Sequence, residues 1–128
     1  MTTVDDQKVP RHEVVRLTGE LDLDSARWFG PLLRRVGAGP SSPRLVVDLR
    51  AVTFMDCIPL RALCEVRARC LAAGGWVRLV YTRPSIGRLL DVTDLGGEFP
   101  RYATIGDACR NRPEPTPASA SPLARSGR

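Results

Sequence analysis

The chain has 128 residues, of which 43% are hydrophobic and 26% are charged, so it can bury one core but hardly two. No apolar run approaches the ~20 residues needed to cross a bilayer, and the polar start lacks the layout of a signal peptide. We therefore expect a cytoplasmic protein without a membrane partner. The net charge of +5 is spread over arginines in several predicted elements, aromatic residues make up 5%, and no DNA-binding motif occurs, so we expect no nucleic-acid partner.

Strand and helix patterns alternate along the middle of the chain. A β-rich run at 14–17 ends at Gly19, and Ser25 is a candidate N-cap for a helix with apolar residues at helical spacing. The apolar run 45–49 is typical of a strand buried on both faces of a parallel sheet. The later elements are predicted as helices at 60–73, 85–92 and 105–110 and strands at 77–81 and 99–102. This alternation predicts an α/β sheet with right-handed crossovers.

The two ends of the chain contain few large apolar side chains. We predict a flexible N-terminal segment at 1–10, followed by one domain over 11–110. Within the first segment, Val4 or Val9 could still add a short edge strand. Residues 111–128 are rich in Pro and Ser, and we predict a disordered tail there.

Four cysteines raise the question of a disulfide or a metal site. His12 is the only histidine, and no Cys-x-x-Cys pair occurs among Cys57, Cys64, Cys70 and Cys109. We therefore expect reduced thiols and no metal. Cys57 stands at a predicted helix start, where the helix dipole favours a thiolate. The alternative is that Cys57 simply fills a small site.

The most informative stretch contains Asp56-Cys57-Ile58-Pro59-Leu60, directly after a predicted strand. It resembles the STAS domain family, the anti-sigma-factor antagonists, in which an Asp-Ser-Ser-Gly-Leu-like sequence stands at this place. The order of other landmarks agrees, namely Gly19-Glu20-Leu21-Asp22, the run 52–56, and Leu89-Leu90 to Leu95, so the resemblance covers about 12–110. It implies a single STAS-like domain with a mixed, mostly parallel sheet of four to five strands and about four helices.

The resemblance also implies a partner and a docking surface. The partner would be an anti-sigma factor that is a GHKL-type serine kinase. The corresponding contact residues are Glu20, Asp22, Asp56, Cys57, Ile58, Pro59 and Arg61. In the family the second Ser of the motif is phosphorylated, and the phosphate expels the partner by its charge and bulk. Ile58 stands at that position, so this chain has no hydroxyl to phosphorylate there.

Ile58 and Pro59 change the predicted helix start without abolishing it. Pro costs little at the first helical position, and it would hold Ile58 extended as the N-cap. Because Ile cannot accept a hydrogen bond, Asp56 is the local candidate to satisfy the first N–H groups of the helix. Ile58 itself is either an exposed anchor of the interface or an inward-turned core residue.

Two functional interpretations remain open. In the first, the chain binds an anti-sigma factor kinase through this surface and stays in the unphosphorylated, binding-competent form. In the second, it is a degenerate STAS scaffold module that pairs with other STAS proteins or with sensor proteins. A further, redox interpretation is that oxidation of Cys57 adds charge to the same surface.

Catalysis is not predicted. Asp22, Asp48 and Asp56 follow or end strands, as the carboxylates of phosphoacceptor receivers or of magnesium-dependent phosphotransferases do. Receivers also carry an adjacent acidic pair at the end of the first strand and a lysine after a late strand, but Lys8 is the only lysine here. No Ser-His-Asp or Cys-His set and no Gly-rich phosphate loop occurs. We therefore expect no enzyme activity and no cofactor, and we expect Asp48 to be a structural hydrogen-bond partner for a loop.

Overall fold

Five β-strands and four α-helices form the described part of the chain, residues 3–9, 12–36 and 43–115 of a computed structural model. The strands are β1 (Thr3–Val9), β2 (His12–Leu21), β3 (Arg44–Met55), β4 (Trp76–Val80) and β5 (Arg101–Tyr102). The helices are α1 (Ala26–Val36), α2 (Ile58–Ala72), α3 (Pro84–Val92) and α4 (Ile105–Cys109), and a 3₁₀ turn at Leu23–Ser25 precedes α1. None of the described helices combines the length and apolar character needed to cross a bilayer.

The strands lie in one sheet in the order β1-β2-β3-β4-β5. β1 runs antiparallel to β2, and all other neighbouring strands are parallel. Parallel neighbours need a crossover connection, which α1, α2 and α3 provide. The predicted α/β fold with a mixed, mostly parallel sheet is confirmed.

Alternate strand residues face opposite sides of the sheet, and each side has its own core. The larger core lies between the sheet and the helices α1, α2 and α3, with Leu33 and Leu63 among its fully buried side chains. The smaller core lies on the other side, where Val46 packs with Ala108 of α4. Residues 45–49 are all buried, as predicted for a strand covered on both faces.

Asp48 is a buried carboxylate on β3. It accepts hydrogen bonds from the backbone N–H of Arg50 at 3.0 Å and from Arg50 Nε and Nη2, each at 2.9 Å. These bonds raise the pKa of the Arg50 guanidinium. Arg16 Nε of β2 lies 3.9 Å from Asp48 Oδ2, and Arg16 Nη1 lies 3.4 Å from Asp5 of β1. Asp48 is therefore a structural hydrogen-bond partner, but the prediction that it serves a loop is wrong because its partners are strand residues.

β1 contains Val4 and Val9, so the edge strand that the sequence allowed within the predicted flexible segment 1–10 is present. This strand pairs with β2 over its whole length, from Thr3 opposite Thr18 to Val9 opposite His12. An edge strand is held by main-chain hydrogen bonds to its neighbour, so a sequence poor in apolar residues can still form one.

The start of the predicted tail is also ordered. The backbone N–H of Glu114 donates to Arg101 O at 2.7 Å, and the Tyr102 hydroxyl donates to Asn111 Oδ1 at 2.6 Å. These contacts attach residues 111–115 to the edge of the sheet at β5, which corrects the boundary at 111. The rest of the predicted tail, 116–128, lies outside the described residues.

The four cysteines are free thiols. Cys57 is exposed, Cys64 and Cys109 are half-buried, and Cys70 is buried. Burial raises the pKa of the Cys64 and Cys70 thiols above the ordinary value. Among the described residues, no group of three or more His, Cys, Asp or Glu side chains is arranged to hold a metal ion.

Candidate functional site

The predicted site residues lie where β2 and β3 end. Leu21, the last residue of β2, pairs with Met55, the last residue of β3, and the backbone N–H of Asp56 donates to Leu21 O at 3.1 Å. Because the carboxyl ends of neighbouring parallel strands meet at one edge of the sheet, Glu20 and Asp22 lie beside the segment that begins α2. The fold therefore brings together two groups of residues that are far apart in sequence.

A β-bulge at Thr53 of β3, opposite Gly19 and Glu20 of β2, shapes this edge. Gly19 has a φ of 94°, a left-handed conformation that favours glycine, and β2 continues through it to Leu21, although the sequence predicted a strand end there. The register shifts at the bulge, so Gly19 faces Val52 and Glu20 faces Phe54. The intervening Thr53 donates its hydroxyl to Gly19 O at 3.2 Å. This extra residue breaks the alternation of β3.

Asp22 holds the turn that leads into α1. Its Oδ1 accepts hydrogen bonds from the backbone N–H of Asp24 at 3.1 Å and of Ser25 at 3.3 Å. The Ser25 hydroxyl is buried and accepts from the backbone N–H of Asp22 at 2.7 Å. The prediction of Ser25 as a helix N-cap is wrong because its hydroxyl bonds backwards along the chain. The Asp22 carboxylate satisfies two N–H groups of the 3₁₀ turn that precedes α1, those of Asp24 and Ser25.

α2 begins at Ile58, and Cys57 is its N-cap residue. The Cys57 side chain makes no capping hydrogen bond, but Asp56 Oδ1 accepts from the backbone N–H of Ile58 at 2.9 Å. Asp56 thus satisfies a donor of the helix start, as predicted. The expectation of Ile58 as an extended N-cap is wrong by one position, since Ile58 is already helical. Pro59 follows it within the first turn, where a missing N–H has little cost.

Three large apolar side chains are exposed at this edge of the sheet. The exposed fractions are 68% for Leu23, 51% for Phe54 and 42% for Ile58. Ile58 is therefore not an inward-turned core residue, whereas Pro59, a predicted contact residue, is buried. The sequence did not single out Leu23 or Phe54, because periodicity alone places large apolar residues in the core. Only the 3₁₀ turn and the bulge bring them to the surface.

Charged residues flank these apolar residues in the chain. Arg61 is exposed and lies three residues after Ile58, on the same side of α2. Glu20 is exposed, and Asp22 and Asp56 are half-buried. We call this area the helix-start surface; it consists of Glu20, Asp22, Leu23, Phe54, Asp56, Cys57, Ile58 and Arg61. An apolar centre with a charged rim is the usual composition of a protein–protein interface.

A mixed five-stranded sheet with an exposed helix start at its edge defines a small α/β domain of the anti-sigma-factor-antagonist architecture. The STAS domain family model matches residues 3–108 of the chain. The chain belongs to the STAS domain family. No curated protein sequence matches it.

Solved structures of anti-sigma factor antagonists share this fold. One from Mycobacterium paratuberculosis is 27% identical, with a TM-score of 0.75 over 87% of this chain and 93% of the other. The antagonist SpoIIAA in its unphosphorylated form is 20% identical, with a TM-score of 0.69 over 85% and 95% of the two chains. A STAS domain protein from Planctomyces limnophilus is 16% identical, with a TM-score of 0.75 over 85% and 97%. The last two similarities establish the fold alone.

Proposed function

We propose that this chain is an anti-sigma factor antagonist-like regulator that binds a serine-kinase anti-sigma factor through the helix-start surface. Ile58 replaces the family's phosphoacceptor serine, so the complex is not switched off by phosphorylation at that position. The 27% identity to the Mycobacterium paratuberculosis antagonist over nearly the whole of both chains supports this class of function.

The observation that carries the proposal is the exposure of Ile58 together with Phe54 and Leu23. Large apolar side chains grouped on the surface of a small domain mark an interaction site, and apolar anchors supply much of the binding energy at the centre of an interface. Asp56 holds the backbone of Ile58 in place through a 2.9 Å hydrogen bond, which keeps this anchor preorganised.

The chemistry of the same position supports a permanent, unswitched contact. No Ser or Thr occurs between Thr53 and Thr82, so the start of α2 carries no hydroxyl that a kinase could phosphorylate. A phosphate placed there would bring nearly two negative charges next to Asp56 and would disrupt an apolar contact. With Ile58 in place, binding is expected to be the same with ADP and with ATP.

The experiment is a binding assay between the full chain and each purified serine-kinase anti-sigma factor of its source organism. Complex formation is measured by calorimetry with ADP and then with ATP, and the chain is weighed afterwards by intact mass spectrometry. We expect one kinase to bind with both nucleotides while the mass of the chain stays unchanged. Failure of every kinase to bind would overturn the proposal, and binding only to other STAS proteins would favour the scaffold alternative.

A matched pair of variants locates the contact. Phe54→Asp places a charge on the helix-start surface. Leu71→Asp places the same charge near the other end of α2, where Leu71 lies about 20 Å from Ile58 along the helix axis. The two side chains are similarly exposed, at 51% and 47%. We expect Phe54→Asp to abolish kinase binding and Leu71→Asp to preserve it. Equal effects of the two changes would show that the partner contacts another surface.

A further inference from the structure

Phe54, the exposed aromatic residue of the helix-start surface, lies on a part of β3 whose strand pairing is incomplete. Within the described residues, β4 pairs with β3 only along 44–48, so the later residues of β3 extend beyond that ladder. On the other side of β3, the ladder with β2 is interrupted at Thr53, the extra residue of the bulge. A bulged residue is left out of the pairing, so the ladders alone restrain the segment 52–54 weakly.

Two side-chain hydrogen bonds hold this segment. Arg83 Nε donates to Val52 O at 3.1 Å, which joins β3 to the residues between β4 and α3. The Thr53 hydroxyl donates to Gly19 O at 3.2 Å, which joins β3 to β2. Val52 and Thr53 are the two residues directly before Phe54. The two bonds therefore fix the backbone from which the Phe54 ring projects.

The backbone of Arg83 is itself held in place. Arg83 is the N-cap residue of α3, with an extended backbone at φ −75° and ψ 124°, and Pro84 follows it. A residue before proline avoids the helical region, and Arg83 O accepts a hydrogen bond from the backbone N–H of Ile86 at 3.1 Å. The side chain thus starts from a fixed point, so little backbone freedom is lost when its Nε binds β3.

Val52 O is an acceptor that the fold must satisfy. Val52 belongs to the core and is 0% exposed. A buried carbonyl without a partner costs a free energy comparable to that of a lost hydrogen bond. If the Arg83 donor is removed while its bulk is retained, Val52 O reaches water only by a movement of the bulge. Phe54, two residues later, would move with it.

Arg83 also belongs to a second feature of the surface. It lines a groove of about 650 Å³ alongside α3, together with Arg88 and Asp94. None of the residues of the helix-start surface lines this groove. The hydrogen bond from Arg83 to Val52 therefore connects the groove to the helix-start surface, and Arg88 offers an arginine of the same groove for comparison.

We propose that Arg83 is a positioning residue of the helix-start surface, whose Nε–H holds the bulge in the conformation that presents Phe54 to a partner. Arg83 acts through Val52 O, so the donor at Nε matters and the positive charge does not. The effect on binding rests on the proposed kinase docking, whereas the effect on Phe54 is measurable in the free chain.

Two variants of Arg83 separate the donor from the charge. The amide nitrogen of Gln follows Cδ, as Nε does in Arg, so Arg83→Gln loses the charge and retains a donor at this place. Arg83→Met also loses the charge, and it covers Val52 O without a donor. Backbone amide shifts of the isotope-labelled full chain are compared by NMR. We expect Arg83→Met to shift Gly19, Thr53 and Phe54, and Arg83→Gln to stay close to wild type. Unchanged shifts in Arg83→Met, or equal changes in both variants, would overturn the proposal.

Kinase affinity, measured by calorimetry, is the second arm. Arg83→Met is expected to weaken binding about fivefold, and Arg83→Gln should restore most of the loss. Arg88→Met removes a charge from the same groove, and Tyr102→Phe removes a hydrogen bond elsewhere in the fold, so both should bind like wild type. If wild type binds a kinase and Arg83→Met binds equally well, the positioning role is wrong and the proposed function stands. If no kinase binds wild type, the proposed function fails, and the amide shifts decide the role of Arg83.

Discussion

The backbone N–H of Ile58 donates a 2.9 Å hydrogen bond to the carboxylate of Asp56, so the residue that follows β3 also caps α2. The residue between them, Cys57, contributes no side-chain cap. The exposed position of Ile58 and the stability of the helix start therefore depend on the same contact. An acidic side chain at 56 is needed here for structural reasons, whether or not it also touches a partner.

Asp56→Ala is expected to lower the free energy of unfolding by about 1 kcal/mol, because it leaves the first N–H of α2 without its acceptor. Asp56→Asn retains an acceptor oxygen and should lose much less. Urea denaturation monitored by circular dichroism measures both. An equal loss in the two variants would mean that the charge, and not the hydrogen bond, stabilises the helix start.

Ile58→Ser should restore the family's switch if the proposed kinase docking is right. With the cognate kinase and ATP, the variant is expected to gain the mass of one phosphate and then to dissociate, because the phosphate repels the partner beside Asp56. Ile58→Ala, which has no hydroxyl, is the control and should gain nothing. A folded, kinase-bound Ile58→Ser that takes up no phosphate would show that the surface has diverged beyond this residue.

Asp48→Ala should be clearly destabilising, by about 1.5 kcal/mol, because Arg50 loses charge-assisted hydrogen bonds and Arg16 loses a nearby carboxylate. Asp5→Ala removes an exposed partner of the same Arg16, and it should change the free energy of unfolding by no more than about 0.5 kcal/mol. Thermal or urea unfolding compares the two. Similar losses would indicate that burial of Asp48 adds nothing to its contribution.

Tyr81 makes the free energy of unfolding depend on pH under alkaline conditions. Burial, followed by the charge of Asp91, raises the pKa of Tyr81 from 10.0 to about 12. The folded state therefore holds a proton that the unfolded chain has lost, so this contribution is complete below pH 10.0 and disappears as the pH rises towards 12.

Tyr81→Phe should reduce the loss of folded-state stability at alkaline pH. The variant should also be about 1 kcal/mol less stable at neutral pH, since Phe99 O loses its hydrogen bond from the phenol. Urea unfolding is measured at a series of pH values for wild type and variant in parallel. The difference between them separates the titration of Tyr81 from that of the cysteine thiols. Identical alkaline profiles of the two proteins would exclude Tyr81 as the group responsible.

Much of the fold could be predicted because its signals are local. The apolar run 45–49 indicates a strand covered on both faces, and the alternation of strands with helices predicts the mostly parallel sheet. Asp56 was also predictable as the cap, since it is the only acceptor side chain within three residues before Ile58. Each of these inferences depends on neighbours in the chain.

The helix-start surface could be located but not completed from the sequence. Phe54 is exposed directly after the bulge at Thr53, where β3 has an extra residue opposite Gly19 and Glu20, and Leu23 is exposed in the 3₁₀ turn that precedes α1. The bulge arises from the pairing of β2 with β3, which involves residues more than thirty positions apart. Periodicity within one segment contains no information on such a register shift.

The fold class, the family resemblance and the absence of a hydroxyl at 58 follow from residue types and from their spacing along the chain. The strand at residues 3–9, the exposure of Ile58 and the shared groove of Arg83 and Asp94 follow only from the folded arrangement. Main-chain pairing and long-range packing join segments whose own sequences do not identify their neighbours.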